Sequence, residues 1–211
     1  MIGLLLKDFY ILKQYLKTML LMAAFFVLIS TGLDNPAEFI SGFIVLICVM
    51  MTITSFSYDA LANWERYALS MPVTRKEIVG SKYLLSLILC LAGAAVSFPV
   101  SLAVLKMTGP VEGFGMSEYL YSSVALISMA YLYIAVLLPL IFKFGVEKCR
   151  LIMIAVFAAP TAALIALSKA GVSMPSEASL KAFIQLLPAL VILLNLVSYF
   201  ISVRIFSARE I

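Results

Sequence analysis

The sequence predicts an all-α integral membrane protein with six transmembrane helices, and three observations carry that expectation. Of its 211 residues, 64% are hydrophobic and only 12% charged, whereas soluble domains run near a quarter charged, at about 25%. The mean hydropathy is +1.12. Apolar runs recur along the whole chain, most of them near the ~20 residues that cross a hydrocarbon core of about 30 Å at about 1.5 Å per residue.

In chain order, residues 1–17 read as an interfacial elbow helix. Ile2, Leu5, Leu6, Phe9, Leu12 and Leu16 recur at helical spacing while Lys7 and Gln14 point the other way, the pattern of a helix lying flat in the membrane interface. Lys13 falls at the edge of the apolar face and must snorkel toward the headgroups. The alternative is a plain N-terminal extension of the first span. Charges spread through this segment, and no small-residue cleavage site precedes the next run, so a removable signal peptide is not expected.

Six spans follow within a single domain, 1–211: Thr18–Leu33, Phe39–Tyr58, Tyr83–Leu105, Tyr119–Phe142, Leu151–Ser168 and Ala182–Val203. Placing the N-terminus in the cytosol puts Lys7, Lys13, Lys17, Arg66, Arg75, Lys76, Lys82, Lys143, Lys148, Arg150, Arg204 and Arg209 inside. Only Lys106, Lys169 and Lys181 are then outside. That asymmetry predicts both termini to be cytosolic, and it makes the net charge of +4 a topology signal with no bearing on nucleic acid. Pro99, Pro139, Pro160 and Pro188 fall in or at the ends of the last four spans, where packed neighbours can satisfy the freed carbonyls.

Between the second and third spans lies a polar insert, Asp59 to Lys82, with the only Trp and a dense set of charges. It reads as two short helices meeting at Met71-Pro72. Thr74 and Glu77 form a capping box, the hydroxyl accepting the Glu77 amide and the carboxylate accepting the Thr74 amide, so that a helix starts at Arg75 and runs into the third span. Arg75 and Lys76 then occupy a first turn where the macrodipole disfavours cations by roughly a few tenths of a kcal/mol. They are therefore candidate contacts for lipid phosphate or an acidic partner surface. The second inner loop, Lys143 to Arg150, is short and basic, and Gly145 allows a sharp reversal there.

Several chemistries are missing. No Asp, Glu, Lys, Arg or His lies well inside any predicted span, which disfavours ion-coupled transport. The chain has no His, and Cys48, Cys90 and Cys149 show no paired spacing, so no metal site, disulfide framework or cofactor site is expected. An intramembrane protease would need a base or paired carboxylates at depth. Asn195, Gln185, Tyr131 and Tyr133 are the polar groups there, and they read as interhelical hydrogen-bonding groups. No phosphate-binding loop is present, Gly80-Ser81-Lys82 lacking the upstream Gly and its spacing. The chain is therefore expected to be no enzyme, and any ATP and Mg to be held by a partner. The insert, with Trp64 flanked by Asn63 and Glu65, is the candidate docking surface.

At this point the chain resembles the permease subunit of a bacterial type-2 ABC exporter, in the small six-span branch. The likeness covers nearly the whole sequence and is carried by the lead-in Leu4 to Tyr10, the insert Asp59…Asn63-Trp64-Glu65-Arg66-Tyr67…Leu69-Ser70-Met71-Pro72-Val73…Arg75…Ile78-Val79…Ser81-Lys82-Tyr83, and Phe142 to Arg150. The resemblance implies a dimer of six-span subunits in the bacterial cytoplasmic membrane, more readily a homodimer than a paralogue pair, each subunit with an elbow helix. A cytosolic coupling helix over Asn63 to Ser70, including Trp64, Glu65, Arg66, Tyr67 and Leu69, would seat in a groove of an ATPase partner. A second contact would fall on Gly145, Glu147, Lys148 and Arg150. Relatives of this branch export amphipathic cytolytic peptides such as phenol-soluble modulins or protect against membrane-active peptides, which implies peptide or other hydrophobic cargo. The competing expectation is a non-transporting membrane scaffold or immunity protein that binds a toxin or recruits a cytosolic partner.

Overall fold

A computed structural model describes residues 2–30, 32, 35–108, 116–169 and 177–208, without the side chains of residues 105, 107, 108, 116–118 and 177–181 and with only some of those in residues 150–168. The described residues form seven helices: α1 Ile2–Ser30, α2 Pro36–Leu61, α3 Trp64–Leu69, α4 Arg75–Thr108, α5 Met116–Phe144, α6 Val146–Lys169 and α7 Glu177–Ser207. Among these residues five helices are long and apolar enough to cross a membrane, namely Ile2–Ser30, Pro36–Leu61, Arg75–Val104, Tyr119–Phe144 and Ala182–Ser207. The remaining expected span, Leu151–Ser168, lies within the 24 residues of α6.

One expectation needs correction. The elbow helix is not a separate element: α1 is an uninterrupted helix of 29 residues that joins the lead-in to the first span. No Pro or Gly stands between Phe9 and Ser30, so nothing in the local chemistry breaks the hydrogen-bond ladder. The stripe of Ile2, Leu6, Phe9 and Leu16 is exposed, whereas Asp8 and Leu12 are buried against the rest of the chain. In a bilayer the exposed apolar stripe suits lipid, whereas Asp8 and Leu12 turn to protein and Lys13, Gln14 and Lys17 stay exposed.

The insert is also more helical than expected at its start, because α2 continues through Asp59 to Leu61. Pro36 opens α2 in its first turn, where a missing amide costs nothing. Asn63, at φ 50° and ψ 34°, supplies the left-handed residue that turns the chain from α2 into α3, and Asn tolerates that region better than most residues. The capping box at α4 is present as expected. The Thr74 amide and hydroxyl each lie 2.9 Å from Glu77 Oε2, and the Glu77 amide lies 3.3 Å from Thr74 Oγ1. Gly145, at φ 80°, is the single residue between α5 and α6.

α2 packs most extensively on α4 and α5 on α7, with further contacts of α4 to α5 and α7, and of α1 to α2 and α4. At the α2–α4 seam a Cβ on Gly93 would lie 2.8 Å from Cys48 Sγ, so the small residue is what lets the two backbones approach. α4, α5 and α7 continue through Pro99, Pro139 and Pro188. The largest buried cluster sits at one end of the bundle, where Phe56 of α2, Phe142 of α5 and Phe206 of α7 stack edge to face at 5.3 and 5.5 Å. The start of α1 and α4 and the ends of α2, α5 and α7 meet here. This is the end at which the basic residues of the sequence collect.

Candidate functional site

The insert and the second inner loop share this basic end. Ala68 of α3, fully buried, lies in the same cluster as Val146 and Cys149 of α6, so both segments expected to face a partner are brought to one end of the molecule. α3 rests on Ala68, with Leu69 half-buried against the core. Asn63, Arg66 and Tyr67 are exposed, Tyr67 by 57%. Glu65 is half-buried in the first turn of α3. In the second loop Gly145 is half-buried and Glu147 and Lys148 are exposed. The side chain of Arg150 lies outside the described ones.

Trp64 turns inward. Its ring packs against the core cluster, tilts against Tyr67 at 5.4 Å and lies 4.3 Å from the ammonium of Lys7. With the Trp64 ring held inward, the outward contact falls to exposed Asn63, Arg66 and Tyr67. Arg75 also has an intramolecular task that its sequence position did not suggest. Its guanidinium donates to the backbone carbonyls of Phe206 and Ser207, both at 2.9 Å, and thereby satisfies orphan acceptors at the end of α7. Lys76 is exposed.

Sequence reasoning missed the most polar feature of this end. Lys7 and Asp8 of α1, Asp59 of α2 and Lys82 of α4 form a closed ring of alternating charge. Lys7 Nζ lies 3.2 Å from Asp8 Oδ1. Lys82 Nζ lies 3.0 Å from each Asp8 oxygen and 2.5 Å from Asp59 Oδ2, and the Lys7–Asp59 ion pair closes the circuit. Lys82 also donates to Ser55 Oγ at 2.7 Å and lies 5.1 Å from the Phe56 ring. Asp8 is 1%, Lys82 4% and Asp59 6% exposed. Charges this deeply buried are tolerated only when each has a partner and its remaining hydrogen-bonding capacity is met, and the ring meets both conditions. The available signal was two Asp and two Lys at the polar ends of three apolar helices, equal in number. No fixed spacing links positions 7, 8, 59 and 82, so a motif search cannot find them.

Where α4 and α5 meet α7, the described polar groups are neutral, as the sequence led one to expect. The Tyr83 hydroxyl lies 2.6 Å from Ser198 Oγ and 2.8 Å from Ser202 Oγ, and Asn195 Nδ2 donates to the carbonyls of Tyr131 and Val191. An open apolar cavity of about 300 Å³ lies between α2 and α5, lined by residues that include Val45, Val49, Met50, Met129 and Tyr133. Such an arrangement holds helices together and offers apolar surface.

Comparison with known proteins fits this construction. The family model described as ABC-2 family transporter protein matches residues 3–207. A search of curated proteins found no match. The chain belongs to the ABC-2 transporter family, as a multi-pass membrane permease component whose transporter includes an ATPase partner.

Proposed function

We propose that this permease is the membrane half of an ATP-driven exporter in the bacterial cytoplasmic membrane, that both its termini are cytosolic, and that α3 is the coupling helix seated in a groove of a separate ATPase subunit. The observation that carries the reading is α3 itself. It projects at the basic end, is anchored from below by buried Ala68 and half-buried Leu69, and presents exposed Asn63, Arg66 and Tyr67. Exposed Glu147 and Lys148 supply the lesser contact nearby. Lys76, at the polar end of α4, offers a cation for lipid phosphate.

Two copies of the chain enclose the pathway. Its walls suit amphipathic or cytolytic peptides and other hydrophobic cargo, a reading that the cavity between α2 and α5 supports through its apolar lining. ATP and Mg bind in the partner. The test is reconstitution in lipid vesicles with the ATPase subunit of its transporter. Stable association, with ATP turnover that rises when an amphipathic cytolytic peptide is added, is the expected result. Absence of association would remove the exporter reading and favour a membrane scaffold.

A further inference from the structure

The charge ring has a property that a simple salt bridge lacks. Its four members alternate in sign around a closed circuit, Lys7, Asp8, Lys82, Asp59 and back to Lys7. They come from α1, which supplies Lys7 and Asp8, and from the closely packed α2–α4 pair, which supplies Asp59 and Lys82. Parting two elements joined by one buried ion pair strands a charge on each side. Parting α1 from α2 and α4 here strands none, because Lys7 keeps Asp8 and Lys82 keeps Asp59. Each side carries its own neutral pair.

α1 is also the helix that would move. Among its described residues only Asp8, Leu12 and Ser30 are buried, and its apolar packing toward this end includes a small cluster in which Leu12, Leu5 and Met19 meet Met51, Leu85 and Leu89, with the Tyr15 ring 5.4 Å from that of Tyr58. The charge ring is therefore a principal tie of α1 to the bundle. Against it lies the one aromatic ring of α3 that turns inward, Trp64, 4.3 Å from Lys7 Nζ, a contact worth having only while the ammonium stays over the indole face.

We infer that the ring is a charge-balanced parting plane between α1 and the α2–α4 pair, with Lys7 and Trp64 as the positioning residues through which movement of α3 opens and closes it. The drive from α3 rests on the docking proposed above; the parting plane itself does not. In the closed arrangement, Lys7–Asp59 and Asp8–Lys82 bridge the plane. In the parted arrangement, Lys7–Asp8 and Asp59–Lys82 remain as pairs within each side, and Ser55 stays with Lys82.

The permease alone tests the plane. Cys48, Cys90 and Cys149 are replaced by Ala, spin labels are placed at Tyr10→Cys and Leu61→Cys, both well exposed at 69% and 79%, and the α1–α2 distance distribution is read by pulsed electron resonance in nanodiscs. Four double variants each remove one cation and one anion. Asp59→Asn with Lys82→Gln, and Lys7→Gln with Asp8→Asn, leave a pair confined to one side, and the short-distance population should be lost. Asp8→Asn with Lys82→Gln, and Lys7→Gln with Asp59→Asn, leave a pair that bridges the plane, and the distribution should stay that of the parent. Indistinguishable behaviour of all four would overturn the inference, since a static cluster loses the same number of charges in each. Monodisperse elution of each variant confirms that folded protein is being read.

The drive is tested on the copurified complex with its ATPase. The labelled parent should change distance between the nucleotide-free and vanadate-trapped states. Trp64→Phe should retain that change and Trp64→Leu lose it. A bound, hydrolysing ATPase with no distance change in the parent would overturn the drive. Failure of the ATPase to bind the parent would instead overturn the docking reading, and with it the drive, while the four double variants still decide the plane.

Discussion

The two polar regions of this bundle solve the same problem with different chemistry. At the basic end, buried Asp8, Asp59 and Lys82 and half-buried Lys7 are joined as ion pairs. Around Tyr83, Ser198, Ser202 and Asn195 the groups are neutral hydroxyls and an amide. Lys82 and Tyr83 are consecutive residues of α4, so the side of the helix separates the two groups at this end: the ionic face meets the start of α1, whereas the neutral face meets α7 and reaches Asn195, well inside that helix. A charge at mid-bilayer costs at least about 2.5–3.5 kcal/mol even on permissive scales, whereas helix ends lie near headgroups and water, where a lysine can be inserted and then paired. The ionic region is therefore strong but unforgiving, and the neutral one is weaker and tolerant.

That contrast sets the order of expected effects. Lys82→Met leaves two aspartates facing Lys7 alone, so it should cost about 3–5 kcal/mol and appear as a large fall in the thermal unfolding midpoint in detergent. A loss below the cost of Tyr83→Phe would break the comparison. Gly93→Ala probes the seam that the ring closes at one end. The added methyl would sit 2.8 Å from Cys48 Sγ, for an overpacking cost of about 1–3 kcal/mol, and Cys48→Ala in the same chain should recover part of it. A double variant no more stable than Gly93→Ala alone would mean that the seam is not set by this contact. Tyr83→Phe removes the shared partner of Ser198 and Ser202; Ser198 still donates to the Ala135 carbonyl, so the loss falls on the single hydrogen bond to Ser202. It should cost about 0.6 kcal/mol and no more than about 1.7, the range for hydrogen bonds between helices in membranes.

What could be read ahead of the structure followed physical locality. The Thr74–Glu77 capping box, the turn at Gly145 and the short helix from Trp64 are consequences of residues within three or four positions of one another, and all three are where the sequence put them. The charge ring joins positions 7, 8, 59 and 82, and Arg75 reaches the carbonyls of Phe206 and Ser207. Neither leaves a local pattern. The amphipathic pattern of the lead-in predicts a helix lying flat in the membrane interface, with Lys7 and Gln14 opposite the apolar face. In α1 Asp8 instead faces protein, because a buried carboxylate needs the partners that other helices supply, while Gln14 stays exposed. An aromatic flanked by polar residues places Trp64 in the docking surface, whereas its ring is turned in toward Lys7.

The most direct test of the central claim, that α3 receives the ATPase, is copurification of the partner with a permease carrying Arg66→Glu and Tyr67→Ala. Both side chains are exposed, and surface substitutions of this kind usually shift stability within about 0.5 kcal/mol, so the variant should elute and unfold like the parent. The account predicts that it does so while losing most of the bound ATPase and of the ATP turnover. A variant that keeps full association and full turnover would contradict it.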